Sequence, residues 1–246
     1  MISITFLGTS HGYAEKGRFV SATLIEAGLH SYLIDAGAPV EALMINNDKK
    51  VQDLRGIFIT HMHEDHVGCL SNIIDPCQRY RYNNNVTCFL PEKHGVDAFL
   101  DWMDAMHNNR KTLTGTVKFA VASEGVIFEN EDIKVTAIPT KHLENGKYPA
   151  FAYMLEAEGK RILFTGDMWI GFPEYEKVVG DREYDLIVCE MAHSDLANVW
   201  ETIAKSKTKK LIFNHYNMPR MEGREEIFPK MPFDVQLAQD GNTVLV

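Results

Sequence analysis

Cysteine is scarce in this chain. The four that occur, Cys69, Cys77, Cys88 and Cys189, form no CxxC spacing. That excludes a disulfide framework and predicts mostly buried thiols in a reducing, cytoplasmic setting. Long apolar runs are also missing: none reaches the roughly 18 residues of a membrane span. The opening "MISITFLGTS" has no charged segment leading into an apolar one, so no signal peptide is expected. Basic residues are outnumbered, 25 Lys and Arg against 34 Asp and Glu, for a net charge of −9. A domain built to grip a long polyanion is basic on at least one face, so a long nucleic acid is not an expected partner. There is no Pro/Gly/Ser linker, low-complexity tract or internal repeat, and residues 1–246 are read as a single domain of ample length for a core. G-x-S-x-G is absent too, which argues against a serine hydrolase.

What is present is a succession of short β-rich runs. Residues 2–7, 20–26 and 30–35 read as strands separated by glycines, and 40–46 after Pro39 has helical spacing. The apolar strand "GIFIT" at 56–60 runs straight into a histidine cluster, and "HVGCLSNII" after it looks helical. Further strands are predicted at 86–90, 117–121, 132–138, 150–156, 161–165, 185–189, 210–213 and 243–246. Helices are predicted at 92–107, 172–179, 195–205 and near 221–228. Strands mixed with single helices, and a hairpin turning at Gly159, suggest an α/β protein with helices packed outside two sheets.

The cluster itself, "ITHMHEDHVG", places His61, His63, Asp65 and His66 within six positions. On an extended segment His61, His63 and Asp65 project to one side, with His66 a step further on. Imidazole nitrogen and carboxylate oxygen together suit zinc and similar divalent metals. The plain alternative is a solvated polar loop. Further candidates stand at predicted strand ends: His142 after "KVTAIPTK", Asp167 in "ILFTGD" and His215 in "KKLIFNH". A strand end is a rigid place from which to aim a ligand into a shared cleft.

In order and spacing, "THMHEDH", His142, "FTGD" and "FNH" resemble the ligand pattern of metallo-β-lactamase-fold hydrolases. The resemblance implies a four-layer αβ/βα sandwich, two mixed β-sheets flanked by helices, with the metal site along the edge between the sheets. It implies that His61, His63 and His142 hold one metal, Asp65, His66 and His215 a second, and that Asp167 bridges them. Two such ions, zinc first and manganese second by ligand type, can share a bridging hydroxide that attacks a scissile bond at neutral pH. Asp65 then both binds metal and orients the nucleophile. A redox di-iron branch resembles a motif with Glu at the second position, where this chain has His63.

The opening "FLGTSHGYAEKGR" and the later "DLIVCEMAHSDL" resemble the ribonuclease Z and small-phosphodiesterase branch. Its acid-plus-histidine element implies catalytic roles for Glu190 and His193, the histidine protonating the leaving oxygen and the glutamate steadying it. Cys189 stands where that branch has another His, and Glu190 and His193 are too close in sequence to enclose a substrate arm for transfer RNA. The expected activity is hydrolysis of a small phosphodiester, such as a cyclic nucleotide. A lactone, thioester or β-lactam hydrolase is the alternative, and a non-catalytic metal-binding sensor the second. The expected partner is a small-molecule substrate, with no membrane; a homodimer is left open. Elsewhere, Arg79–Tyr82 reads as a polar loop before a base-stacking surface, and Phe99, Trp102, Met103 and Met106 as a helix face on a sheet. His11 reads as a surface residue, and Lys205–Lys210 as a solvated helix end.

Overall fold

A computed structural model describes residues 1–79, 81–107 and 115–246. The first seven elements are β1 (Ser3–Gly8), β2 (Ala22–Ala27), β3 (His30–Ile34), α1 (Val40–Asn46), β4 (Leu54–Phe58), α2 (Glu64–Val67) and α3 (Leu70–Gln78). Then follow β5 (Asn85–Leu90), α4 (Lys93–Ala105), β6 (Thr116–Val121), β7 (Gly125–Glu129), β8 (Lys134–Pro139), β9 (Phe151–Ala157), β10 (Lys160–Phe164) and α5 (Tyr175–Val179). The chain ends with β11 (Glu183–Tyr184), β12 (Leu186–Met191), α6 (Leu196–Ile203), β13 (Lys207–Thr208), β14 (Lys210–Tyr216), α7 (Met218–Met221), β15 (Asp234–Leu237) and β16 (Thr243–Leu245).

Two seven-stranded mixed sheets result, in the orders β16-β1-β2-β3-β4-β5-β6 and β15-β14-β12-β10-β9-β8-β7, beside a small β11–β13 pair. Period-two alternation sends successive side chains to opposite faces, and here both faces are buried. In β10, Ile162 and Phe164 enter the core between the sheets, with Tyr32, Phe58, Tyr153 and Val188. Leu163 points the other way, into a core with Val178, Ile187, Val199 and Ile203 beneath α5 and α6. On the other sheet Leu33 and Ile57 meet Leu43 of α1, Ile73 and Ile74 of α3 and Met103 of α4. Three apolar layers therefore separate four structural ones, which is the expected αβ/βα sandwich. Each wholly buried Leu or Ile contributes about 1.5–3 kcal/mol relative to exposure.

The hairpin between β9 and β10 turns at Glu158 and Gly159, both at positive φ, 49° and 74°. That left-handed pair suits a tight antiparallel connection. Four predicted details change. The helix after the cluster is two helices, broken at Gly68 and Cys69, so Asp65 and His66 lie inside α2. The helix expected at 172–179 shortens to α5. The one near 221–228 becomes α7 followed by a 3₁₀ turn at Arg224–Lys230, a stretch interrupted by Pro229. Strands β7 and β15 were not anticipated: both are edge strands with half-buried or exposed side chains, which weakens the apolar signal. Among the described residues no helix is long and apolar enough to cross a membrane.

Candidate metal centre

The site grows from the ends of strands that meet along one edge of the sandwich. Beyond β4, the carbonyl of Thr60 accepts from Phe151 N–H at 2.9 Å, joining the two sheets just before the histidines begin. Asp35, after β3, braces this point. Its carboxylate accepts from Thr60 N–H at 2.8 Å and faces His66 Nδ1 at 2.7 Å. With Nδ1 bonded to Asp35, His66 directs Nε2 inward, where it has no hydrogen-bond partner among the described residues. Gly37 lets the chain after β3 pack on α2, since a Cβ there would lie 1.8 Å from the Asp65 carbonyl. Asp65 accepts from Gly12 N–H at 2.7 Å, so the loop after β1 closes over the same side.

The remaining residues arrive singly. His142, past β8, lies with Nε2 3.2 Å from His63 Nδ1, and its Nδ1 sits 3.4 Å from the Met168 carbonyl. Asp167 follows Gly166, whose φ of +56° and close approach to Phe151 favour glycine. His215, the penultimate residue of β14, has φ 49° and lies 3.4 Å from Asp167 and 3.6 Å from Asp65. Asp167 Oδ2 is the common neighbour: His66 is at 3.4 Å, His142 at 3.7 Å and His61 at 3.8 Å. Ligating atoms of His61, His63 and His142 lie within 4.8 Å of one another, as do those of Asp65, His66 and His215. His61, His66 and Asp167 form a third such group that joins the two. His63 is the exposed member, so the centre opens to solvent there.

Electrostatics agree with a cation site. Burial, then neighbouring histidines, holds His61 well below its ordinary pKa. Burial likewise lowers His63 and His142. Burial opposes charge on His66 as well, but Asp167 and Asp35 outweigh it and lift that pKa well above the usual value. Asp167 is held well below the carboxylate range against its own burial, by His215 and His66. Among the described residues, buried His61 Nε2, His66 Nε2 and Asp167 Oδ1 have no hydrogen-bond partner. Each such orphan costs about 1–3 kcal/mol. A divalent cation satisfies imidazole nitrogen and carboxylate oxygen together, so the donor set fits one or more metal ions.

Glu190 and His193 come to the same place. Glu190, at the end of β12, is buried; its carboxylate accepts from Met168, Ala192 and His193 N–H groups and meets His193 Nδ1 at 3.1 Å. His193 Nδ1 is 3.7 Å from Asp167, and its ring lies 4.6 Å from that of His142. Burial disfavours its charge, yet Glu190 and Asp167 raise its pKa to about 9.

Asp35 is the residue sequence reasoning missed. It lies 31 positions before His66, and its only local signal is an acid closing a strand before "AG". His11 departs from its surface expectation: it is partly buried, with Nε2 2.7 Å from Asn217 Nδ2. Arg79 pairs with Asp75, and Arg81 and Tyr82 meet Glu41, as a polar loop would; Tyr80 lies outside the described residues. Met103 is buried and Phe99 packs against Phe119, while Trp102 of the same helix is 58% exposed. Lys205, Lys207, Lys209 and Lys210 are each paired with an acid, among them Glu176 and Asp185. Cys77, Cys88 and Cys189 are buried and Cys69 partly so, and burial pushes the Cys77 thiol up to about 12.

Sheets, layers and edge site together define a protein of the metallo-β-lactamase fold. Solved structures carry the same fold: YhfI from Bacillus subtilis, at TM-score 0.76 and 15% identity, covers 99% of this chain and 98% of its own. Human tRNase Z, short form, matches at TM-score 0.76 and 19% identity over 99% of both chains. A diphosphatase from the PhnP family matches at TM-score 0.73 and 16% identity, over 100% of this chain and 98% of its own. By sequence, ribonuclease Z of Synechococcus sp. (strain CC9311) is 32% identical over 171 residues, 68% of this chain and 52% of that protein. The chain thus spans about half the length of that curated relative. The family model described as "Anti-Pycsar protein Apyc1" matches residues 2–233, and the chain belongs to that family.

Proposed function

We propose that residues 1–246 form one metal-dependent hydrolase domain that cleaves a small phosphodiester, a cyclic nucleotide or related cyclic phosphate. One observation carries the reading: His193, braced by Glu190, lies 3.7 Å from the carboxylate that joins two three-residue ligand groups. His61, His63 and His142 would hold one divalent ion and Asp65, His66 and His215 a second, with Asp167 shared and zinc or manganese the fitting metals. When bound, the ions would supply an activated water and neutralise charge developing on the phosphoryl oxygens. Asp65, fixed by Gly12 N–H, orients the attacking water. His193 presents a proton to the departing oxygen, while Glu190 holds its Nδ1 and so leaves Nε2 for the substrate.

A phosphodiester suits this arrangement because its alkoxide leaving group needs that proton. Similarity to a ribonuclease Z and to a diphosphatase supports phosphoester chemistry over attack on a lactone, thioester or β-lactam. Net charge of −9 and the acid-paired lysines favour a small substrate over a long RNA. The test compares leaving groups. His193→Ala should lower the rate roughly 10²–10⁴-fold on an alkyl phosphodiester and much less on an aryl one. Glu190→Gln should show a smaller loss of the same kind. Equal losses on both substrates would make His193 a positioning or folding residue. Turnover of a lactone or β-lactam but of no phosphodiester would overturn the reading.

A further inference from the structure

A cavity of about 260 Å³ opens beside His193, walled by Ile170, Asn198, Val199 and Arg220. These residues come from three places: the loop after Asp167, the face of α6, and α7 just beyond His215. Arg220 is anchored at one corner. Its Nη1 donates to the Ala192 carbonyl at 2.7 Å, next to His193, and its backbone N–H is capped by Asn217 Oδ1 at 3.0 Å. The rest of its guanidinium makes no hydrogen bond among the described residues. Ile170, 70% exposed, contributes an apolar side chain to the cavity's rim. Among the described residues the cavity's one carboxylate, Asp195, is already engaged: it takes two 2.8 Å bonds from Arg224 and caps Ala197 N–H. The cavity thus keeps a net positive corner, an apolar wall and the Asn198 amide, which both donates and accepts.

We infer that this cavity seats the nucleobase of the substrate, with Arg220 and Asn198 contacting the base and Ile170 packing on its face. The inference rests on the phosphodiesterase reading, because His193 then faces the leaving oxygen and whatever that oxygen carries extends past it. A guanidinium serves such a ligand in two ways, by lying flat on an aromatic ring or by donating to ring carbonyls. An amide side chain completes the pattern by reading a heterocycle edge.

The test measures equilibrium binding, by calorimetry, of hydrolysis-resistant phosphorothioate cyclic nucleotides to the zinc-loaded protein. A ribose cyclic phosphorothioate lacking a base is the comparator. Arg220→Ala and Asn198→Ala should each weaken the base-bearing ligand about tenfold and leave the base-free one within about twofold. Equal weakening of both ligands by Arg220→Ala would mean that the arginine acts through Ala192 on the His193 turn, which overturns the inference. So would unchanged binding of both in both variants, with the phosphodiesterase reading left standing. Failure of the unsubstituted protein to bind either ligand would instead remove the phosphodiesterase reading beneath it. Circular dichroism of each exposed-residue variant verifies the fold.

Discussion

The two halves of the site are built differently. The first half is one loop, in which His61, His63, Asp65 and His66 follow a single strand. The second is dispersed over separate strand ends as His142, Asp167, Glu190 with His193, and His215. The loop is held from outside, by the Asp35 carboxylate on His66 and Thr60 and by Gly12 N–H on Asp65. Of the dispersed residues, His193 is held from three positions away by Glu190 and His142 lies 3.4 Å from the Met168 carbonyl, while His215 Nδ1 has no hydrogen-bond partner among the described residues. The loop is therefore fixed by hydrogen bonds from Asp35 and Gly12, whereas the dispersed residues lean mainly on the strand ends that present them.

The sharpest way to break this contrast is at a ligand. Asp65→Ala should remove most turnover, because it disturbs both the second ligand group and the orientation of the attacking water. Cys69→Ala, four residues on, should leave the rate nearly unchanged, since that thiol is not among the converging groups. Steady-state kinetics on metal-loaded protein decide it. Loss of activity with Cys69→Ala but not with Asp65→Ala would contradict the mechanism.

The brace is the next target. Asp35→Asn keeps the shape but weakens the hold on His66, and should lower metal affinity about 10–100-fold. The loss should fall first on the ion held by Asp65, His66 and His215, leaving the His61–His63–His142 group loaded. Competitive chelator titration resolves the two steps. Equal loss from both groups would erase the distinction between a loop fixed by Asp35 and residues placed by their strand ends.

This contrast also explains what could be read from the amino acids. The loop is legible because its pattern is local: four ligand types in six positions after an apolar strand. The dispersed residues are legible only through their order and their resemblance to a known family, since each alone is a common strand-end residue. Asp35 was not legible, because nothing near it points to a histidine 31 residues away. The central strands were readable because burial on both faces makes them continuously apolar. Edge strands β7 and β15 were not, for they are half wet. Tertiary contact also decided His11, which reads as a surface residue until Asn217 is brought against it.

The smallest effect lies at the rim, on the cap of α6. Asp195 titrates at about 2 in the folded chain, below its ordinary 3.8, because Arg224 and the Ala197 N–H stabilise the carboxylate. A depressed folded value contributes stability above pH 3.8, and that contribution is lost as the pH falls from there through about 2. The Asp195 side chain is 38% exposed, so screening limits the gain to less than about 1 kcal/mol. Arg224→Ala should lower the urea midpoint slightly at pH 7, with the difference from the unsubstituted protein closing below pH 3.8. A difference that widens in acid would show that Arg224 acts on some other group.

The central claim is that both halves load metal together, with Asp167 between them. Elemental analysis of zinc-reconstituted protein after desalting tests it most directly, alongside Asp167→Ala. The account predicts two ions per chain in the unsubstituted protein, and clearly fewer in the folded variant as the shared ligand is lost. A folded, unsubstituted chain that retains no metal, or one that holds a single ion unaffected by Asp167→Ala, would contradict it.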